Sequence, residues 1–281
     1  MSFLPDWLLE PFQHPFNQRA VLAALLIGCT NGYASAFVVL KKSALKVGSL
    51  SHALLPGIAV AILLVGLHDW SSFLGGLFAA LMIGLGSLAV SRGSRLDQDS
   101  ALAILYTAAF SGGIILLRRL GVTQEMDEWL FGNIMGLRDR DLWTNFWISL
   151  GALGLLTALH RPLLMTLFDP DVAATLGVPV RLLNYLLMAI LIVVLISSLQ
   201  AVGCMLALGL LVTPAATIYL LTDSTNALFW GGALLGGLAS SFAVLLGWWL
   251  NFEQGPTIVL VIGACFLLAF LFSPKYGLMR K

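Results

Sequence analysis

The feature that most constrains this chain is a recurrence of uncharged apolar runs about 20 residues long. That is the helix length a bilayer's hydrocarbon core demands. The runs are 20–40, 47–67, 71–91, 101–117 and 142–159, then 182–222, then 224–252 and 254–274. The stretch 182–222 carries no charge and is long enough for two crossings. Split near Gln200–Gly203, it gives nine crossings in all, or eight if one run is re-entrant or interfacial. The expected fold class is an all-α polytopic membrane protein of 8–9 transmembrane helices, some of them broken, in one domain over residues 1–281. Composition points the same way. Hydrophobic residues make up 59% and charged residues only 10%, where a soluble domain carries roughly 25% charged residues.

Composition also excludes some function classes. The net charge of +1 offers no electrostatic footprint for nucleic acid. Cys29, Cys204 and Cys265 lie in separate apolar runs, with no CxxC pair and no disulfide framework. No Walker A pattern and no strand-to-helix GxGxxG occurs, so no ATPase is expected within the chain. The N-terminal stretch MSFLPDWLLEPFQHPFNQR lacks the basic start and small-residue cleavage site of a signal peptide. Residues 1–19 read instead as an amphipathic segment leading into the first span.

Lys and Arg orient the spans. With the loop after the first span inside, Lys41, Lys42, Lys46, Arg92, Arg95, Arg161, Arg181, Lys275, Arg280 and Lys281 are cytoplasmic. Arg19, Arg118, Arg119, Arg138 and Arg140 are then external, a split of ten against five. This phase puts the C-terminus in the cytoplasm. Of the two long connections, 121–141 lies outside and 160–181 inside. The inner one carries helix punctuation: Asp169 as a cap, Pro170 at the first position, Gly177 at the end and Pro179 beyond it. A helix of about two turns on the cytoplasmic face is expected there.

Ionisable groups at membrane depth are costly and mark function. The clearest is His52, in VGSLSHALLPG. A neutral imidazole can ligate a transition metal, pair with a polar neighbour, relay a proton, or simply hydrogen-bond for packing. Gly48, Ser49 and Ser51 admit a neighbouring backbone. Pro56 removes a donor, and with Gly57 it predicts a helix break of the kind that lines a cavity. A second break is expected over 200–214, at Gly203, Gly209 and Pro214. Cys204 within it reads as a small core residue. Glu253, beside Gly255-Pro256, and the acidic residues Glu125, Asp127 and Glu128 read as solvated loop charges. His68-Asp69 sits at an outer turn.

Four blocks in order carry a resemblance. VGSLSHALLPG resembles the GDALSHAVLPG pattern of the membrane permeases of bacterial ABC importers for zinc, manganese and iron, the ABC-3 type. LFGNIMGLRDRDL, FDPDVAATLGVP and AVGCMLALGLLVTPAAT resemble that family's LFGNIL…DL, FDPE-A--LG and VG-LL--ALL--PAA blocks. The resemblance implies a non-enzymatic permease in the bacterial inner membrane. Its expected partners are cytoplasmic ABC ATPase subunits, an external metal-binding protein, membrane lipid and a second permease, as homodimer or heterodimer.

It implies no permanently bound cofactor, only a transported divalent metal (manganese, zinc or iron), with His52 as the candidate pore ligand. It also implies that residues 166–179 form the coupling helix, with Phe168, Asp169, Ala173, Leu176 and Gly177 meeting the ATPase. One departure stands out: Gly48 occupies the place of the family's aspartate, one helical turn before the histidine. A carboxylate from elsewhere, a partner permease, or passage without a carboxylate are the open alternatives. A chelated metal or siderophore-like cargo would suit a wider path. An ion-coupled secondary transporter would need inverted repeats and buried carboxylates, and neither is evident. An intramembrane enzyme would need a dyad that Ser49 or Ser51 beside His52 rarely provides.

Overall fold

The computed structural model describes residues 11–44, 48–49, 52–66, 69–121 and 132–273, and only the backbone at 69, 200–202 and 204–206. Among the described residues there is no strand. The helices are α1 (Pro15–Leu40), α2 (Leu54–Val65), α3 (Asp69–Gly93), α4 (Gln98–Leu120), α5 (Asp139–Ala158) and α6 (His160–Phe168). Then follow α7 (Pro170–Thr175), α8 (Val180–Val202), α9 (Cys204–Leu221), α10 (Thr225–Leu250) and α11 (Gln254–Phe272).

Six described helices, α1, α3, α4, α8, α10 and α11, are long and apolar enough to cross a bilayer, or seven spans counting α5 with α6, which are bent by 63°. The sequence expectation was eight or nine. The difference lies in α2 and 207–221, which are apolar but shorter. At 1.5 Å per residue α2 reaches only about 18 Å against a core of about 30 Å. The stretch 182–222 does divide where expected: α8 ends at Val202 and Gly203 has φ +81°, a conformation that a β-carbon disfavours. Helix α6 takes up the first part of the 160–181 connection, where the sequence predicts helix only over 166–179; Pro162 falls in its first turn, where a missing N–H costs nothing.

The chain forms two compact units. One comprises 1–39, 128–151 and 197–281. In it α1 meets α10 through paired small-residue spacings, Gly28 with Gly32 and Gly232 with Gly236. A β-carbon on Gly28 would run into the backbone of Gly236, and one on Gly232 would stand 2.6 Å from the Gly32 carbonyl oxygen. Without side chains there, the two backbones meet directly, the small-xxx-small arrangement of membrane helices. Tyr33, Phe37 and Phe229 close the seam, with ring centres 5.1 Å (Tyr33–Phe229) and 4.6 Å (Phe37–Phe229) apart. Polar groups on the buried face of α1 are spent on backbone repair. Pro214 lies inside α9, and the next amide, of Ala215, donates to Ser35 Oγ at 3.0 Å. Asn31 Nδ2 donates to Ile27 O at 2.8 Å and to Ser198 Oγ at 2.7 Å. Arg19 Nε pairs with Asp139 at 2.7 Å, joining the starts of α1 and α5.

The other unit comprises 40–127 and 152–196. Helix α2 lies in a cradle made by α3 and α4. Gly57 is seated against the carbonyl of Gly75, and a β-carbon on Gly75 would be 2.5 Å from the Gly57 carbonyl oxygen. At the start of α8, Lys41 Nζ donates to Asn184 Oδ1 at 3.1 Å. Beside it the Arg92 guanidinium lies 4.5 Å from the Tyr185 ring centre.

Candidate functional site

His52 is helical, half-buried, and stands just before α2. The helix that follows starts at Leu54, so Pro56 falls in its first turn. Amides there lack intrahelical acceptors anyway. Gly48, Ser49 and His52 are helical, a turn at Ala53 (φ −68°, ψ −11°) precedes α2, and Gly57 provides the close crossing with α3. Helix α4 forms the wall opposite. Tyr106, Phe110 and Gly113 recur at i, i+4 and i+7, which puts them on one face. A β-carbon on Gly113 would stand 2.7 Å from Pro56 Cα, so the two backbones touch there. Seven residues back along the same face, Tyr106 lies with its ring centre 6.4 Å from that of His52, inclined by 28°. Phe110 meets the imidazole edge-on at 5.5 Å and 70°.

Within this frame His52 Nδ1 is buried and has no hydrogen-bond partner. A buried nitrogen left unpaired costs roughly 1–3 kcal/mol and invites an explanation by an absent group. Among the described residues, no three His, Cys, Asp or Glu side chains gather to hold a metal ion. Gly48, one turn ahead and also helical, offers no side-chain donor. Residues 45–47 and 50–51 lie outside the described residues, as do His68 and the acidic positions Glu125, Asp127 and Glu128. Glu253 is exposed at the start of α11. The side chain of Cys204 is outside the described residues; Cys29 and Cys265 are free and half-buried.

The α6–α7 segment forms a second candidate site. Asp169 accepts the Val172 amide at 3.0 Å, with Pro170 at the first helical position. Gly177 has φ +79°, and the Val178 amide returns to Ala173 O at 3.0 Å. The helix is therefore punctuated at the residues its sequence marks, although it is a single short element of 6 residues. Ala173 is fully buried, whereas Phe168, Val172 and Leu176 are 67%, 52% and 66% exposed. Three large apolar side chains are thus presented on a short, well-capped element.

A third feature is a cleft of about 340 Å³ between Gly132–Met135 and the Trp248–Pro256 turn. It brings together the LFGNIM block and the Gly255-Pro256 pair, which lie far apart in sequence. Asn133 Oδ1 accepts the Gly136 amide at 2.9 Å and shapes its rim.

Sequence reasoning missed Tyr106, Phe110 and Gly113. Their spacing was legible, but in a lipid-solvated chain an apolar stripe does not tell which face meets protein.

The ABC 3 transport family model matches residues 13–273. The chain belongs to that family. The manganese transport system membrane protein MntC of Halalkalibacterium halodurans is 36% identical over 283 aligned positions, covering 100% of this chain and 94% of that protein. The chelated iron transport system membrane protein YfeD of Yersinia pestis is 29% identical, covering 97% and 91%. Among solved structures, PsaBC from Streptococcus pneumoniae in complex with Fab superposes with a TM-score of 0.85 at 29% identity, over 98% of each chain. Those relatives are named as membrane proteins of manganese and iron transport systems, and this ABC-3 family member shares the helical fold of the solved neighbour.

Proposed function

We propose that this chain is the permease subunit of an ATP-driven importer that carries a divalent transition metal, manganese or iron in the first place, into the bacterial cytoplasm. The observation that carries this reading is His52: an unpartnered, buried imidazole nitrogen inside VGSLSHALLPG, walled by α2 and α4. Zinc is chemically compatible with an imidazole, but the named relatives are manganese and iron proteins. A chelated metal is the second reading, favoured by the absence of a side-chain donor at Gly48 and by the iron-chelate relative.

Residues 1–281 act as one permease domain with nine crossings. The Arg19–Asp139 pair supports this count. The starts of α1 and α5 then lie at one membrane face, so an even number of crossings separates them. Helices α1, α3 and α4 supply three, and the segment containing α2 must complete the fourth. With Lys and Arg counted as above, the C-terminus and residues 166–179 face the cytoplasm. The capped α7, with Phe168, Asp169, Ala173, Leu176 and Gly177, is the coupling element for a separate ATPase subunit, whose apolar cleft would cover Phe168, Val172 and Leu176. An external binding protein delivers the metal at the outer face. A second permease, identical or not, completes the pathway.

The test is His52→Ala in the assembled complex. Metal uptake is expected to be lost while the ATPase still co-purifies. Normal uptake by that variant would return His52 to a packing role and remove the basis of the permeation assignment.

A further inference from the structure

The His52 wall raises a question of donors. One imidazole does not hold a divalent ion in transit, and Gly48 contributes nothing. Among the described residues no carboxylate or thiol joins His52 in a group of three. The ring contacts that the structure gives His52 are with Phe110 and Tyr106. Phe110 has no donor atom. Tyr106 has one, a phenol oxygen, and that hydroxyl makes no hydrogen bond among the described residues. It is half-buried on α4. Tyr and Trp polar atoms within apolar surroundings usually find a partner.

We propose that Tyr106 supplies the oxygen donor of the His52 site, so that a passing divalent metal is held between the imidazole of one helix and the phenol of its neighbour. This rests on the reading of His52 as a metal ligand. The two rings are neighbours across the contact between α2 and α4, with centres 6.4 Å apart. Two features keep that geometry from drifting. Phe110 braces the imidazole edge-on, and the contact between Gly113 and Pro56 fixes α2 on α4 seven residues from Tyr106.

The donor pair also bears on selectivity. Imidazole alone serves zinc, copper, iron and nickel, whereas oxygen donors suit manganese. A mixed nitrogen and oxygen site, with water completing the shell, binds an ion loosely enough to release it, as conduction requires. An oxygen from α4 in place of a carboxylate one turn before His52 also ties the site to the relative position of two helices.

The test uses the complete transporter in vesicles, with manganese as the probe and zinc as competitor. Tyr106→Phe keeps the ring and its packing and removes only the oxygen. The expected result is a rise of about tenfold or more in the KM for manganese, with the maximal rate less affected, and a shift of competition toward zinc. Tyr106→Leu should do the same and also lower the amount of assembled complex. If Tyr106→Phe transports manganese with wild-type KM and zinc competition while His52→Ala abolishes uptake, the phenol is not a ligand and this inference fails alone. If His52→Ala also transports normally, the reading beneath it fails as well.

Discussion

Adding one methyl group to α4 should separate a structural contact from mere helix composition. Gly112 and Gly113 are neighbours on the same helix. A β-carbon at Gly112 meets nothing within 4 Å; at Gly113 it would stand 2.7 Å from Pro56 Cα, 2.8 Å from Pro56 N and 3.1 Å from Pro56 Cβ. Carbon atoms in ordinary contact sit about 3.5–4.0 Å apart. Gly113→Ala must therefore drive the first turn of α2 outward by about 1 Å. That turn is not free to go, because Gly57 on its adjoining face is already seated against Gly75. Overpacking of this kind costs about 1–3 kcal/mol, and the helix preference of alanine returns about 0.8–1 kcal/mol. A net loss of up to about 2 kcal/mol is expected, and His52, four residues before Pro56, moves with the turn. A loss of that size at the site corresponds to about a 5- to 30-fold change in an equilibrium constant. Gly112→Ala gains the same helix preference with no clash and should be neutral or slightly stabilising. The assay pairs thermal unfolding of the detergent-solubilised complex with the KM for manganese uptake. If the two alanine variants behave alike in both measurements, α2 is not held by backbone contact with α4, and the construction of the His52 wall given above is wrong.

Two further outcomes follow from the α6–α8 region. Removing the aromatic face with Tyr185→Leu should leave ATPase binding intact but lower the metal transported per ATP hydrolysed several-fold, while Tyr185→Phe, which still receives Arg92, should keep the ratio. An unchanged ratio in the leucine variant would mean that the Arg92–Tyr185 contact does not link α3 to the segment following α7. Asp169→Ala should remove the α7 cap at a cost of about 1 kcal/mol and weaken ATPase co-purification, which Asp169→Asn should largely restore; full co-purification with alanine would sever α7 from the ATPase.

Local punctuation was readable wherever one residue's own chemistry decides the backbone. Asp169-Pro170 and Gly177 delimit α7, and Gly203 ends α8, because a cap, a fixed φ and a left-handed φ are properties of the residue itself. Pro56 and Gly57 mark their stretch in the sequence, but the backbones they meet, Gly113 for Pro56 and Gly75 for Gly57, are not legible there. The α1–α10 seam was legible in part: both glycine pairs have a spacing of four, but nothing in the sequence says which pair meets which.

By itself, the sequence determined that the chain is helical and solvated by lipid, that Lys and Arg favour one orientation, and that His52 is the polar residue at depth most in need of an explanation. These follow from transfer free energies and backbone preferences, which act residue by residue. Only the tertiary structure decided what surrounds that histidine. The rings that meet it come from α4, more than fifty positions further along the chain. In lipid, apolar periodicity does not separate the protein-facing side of a helix from the side facing acyl chains. Helix partners are chosen instead by close packing at Gly57, Gly75 and Gly113, and that complementarity exists only once the helices have met.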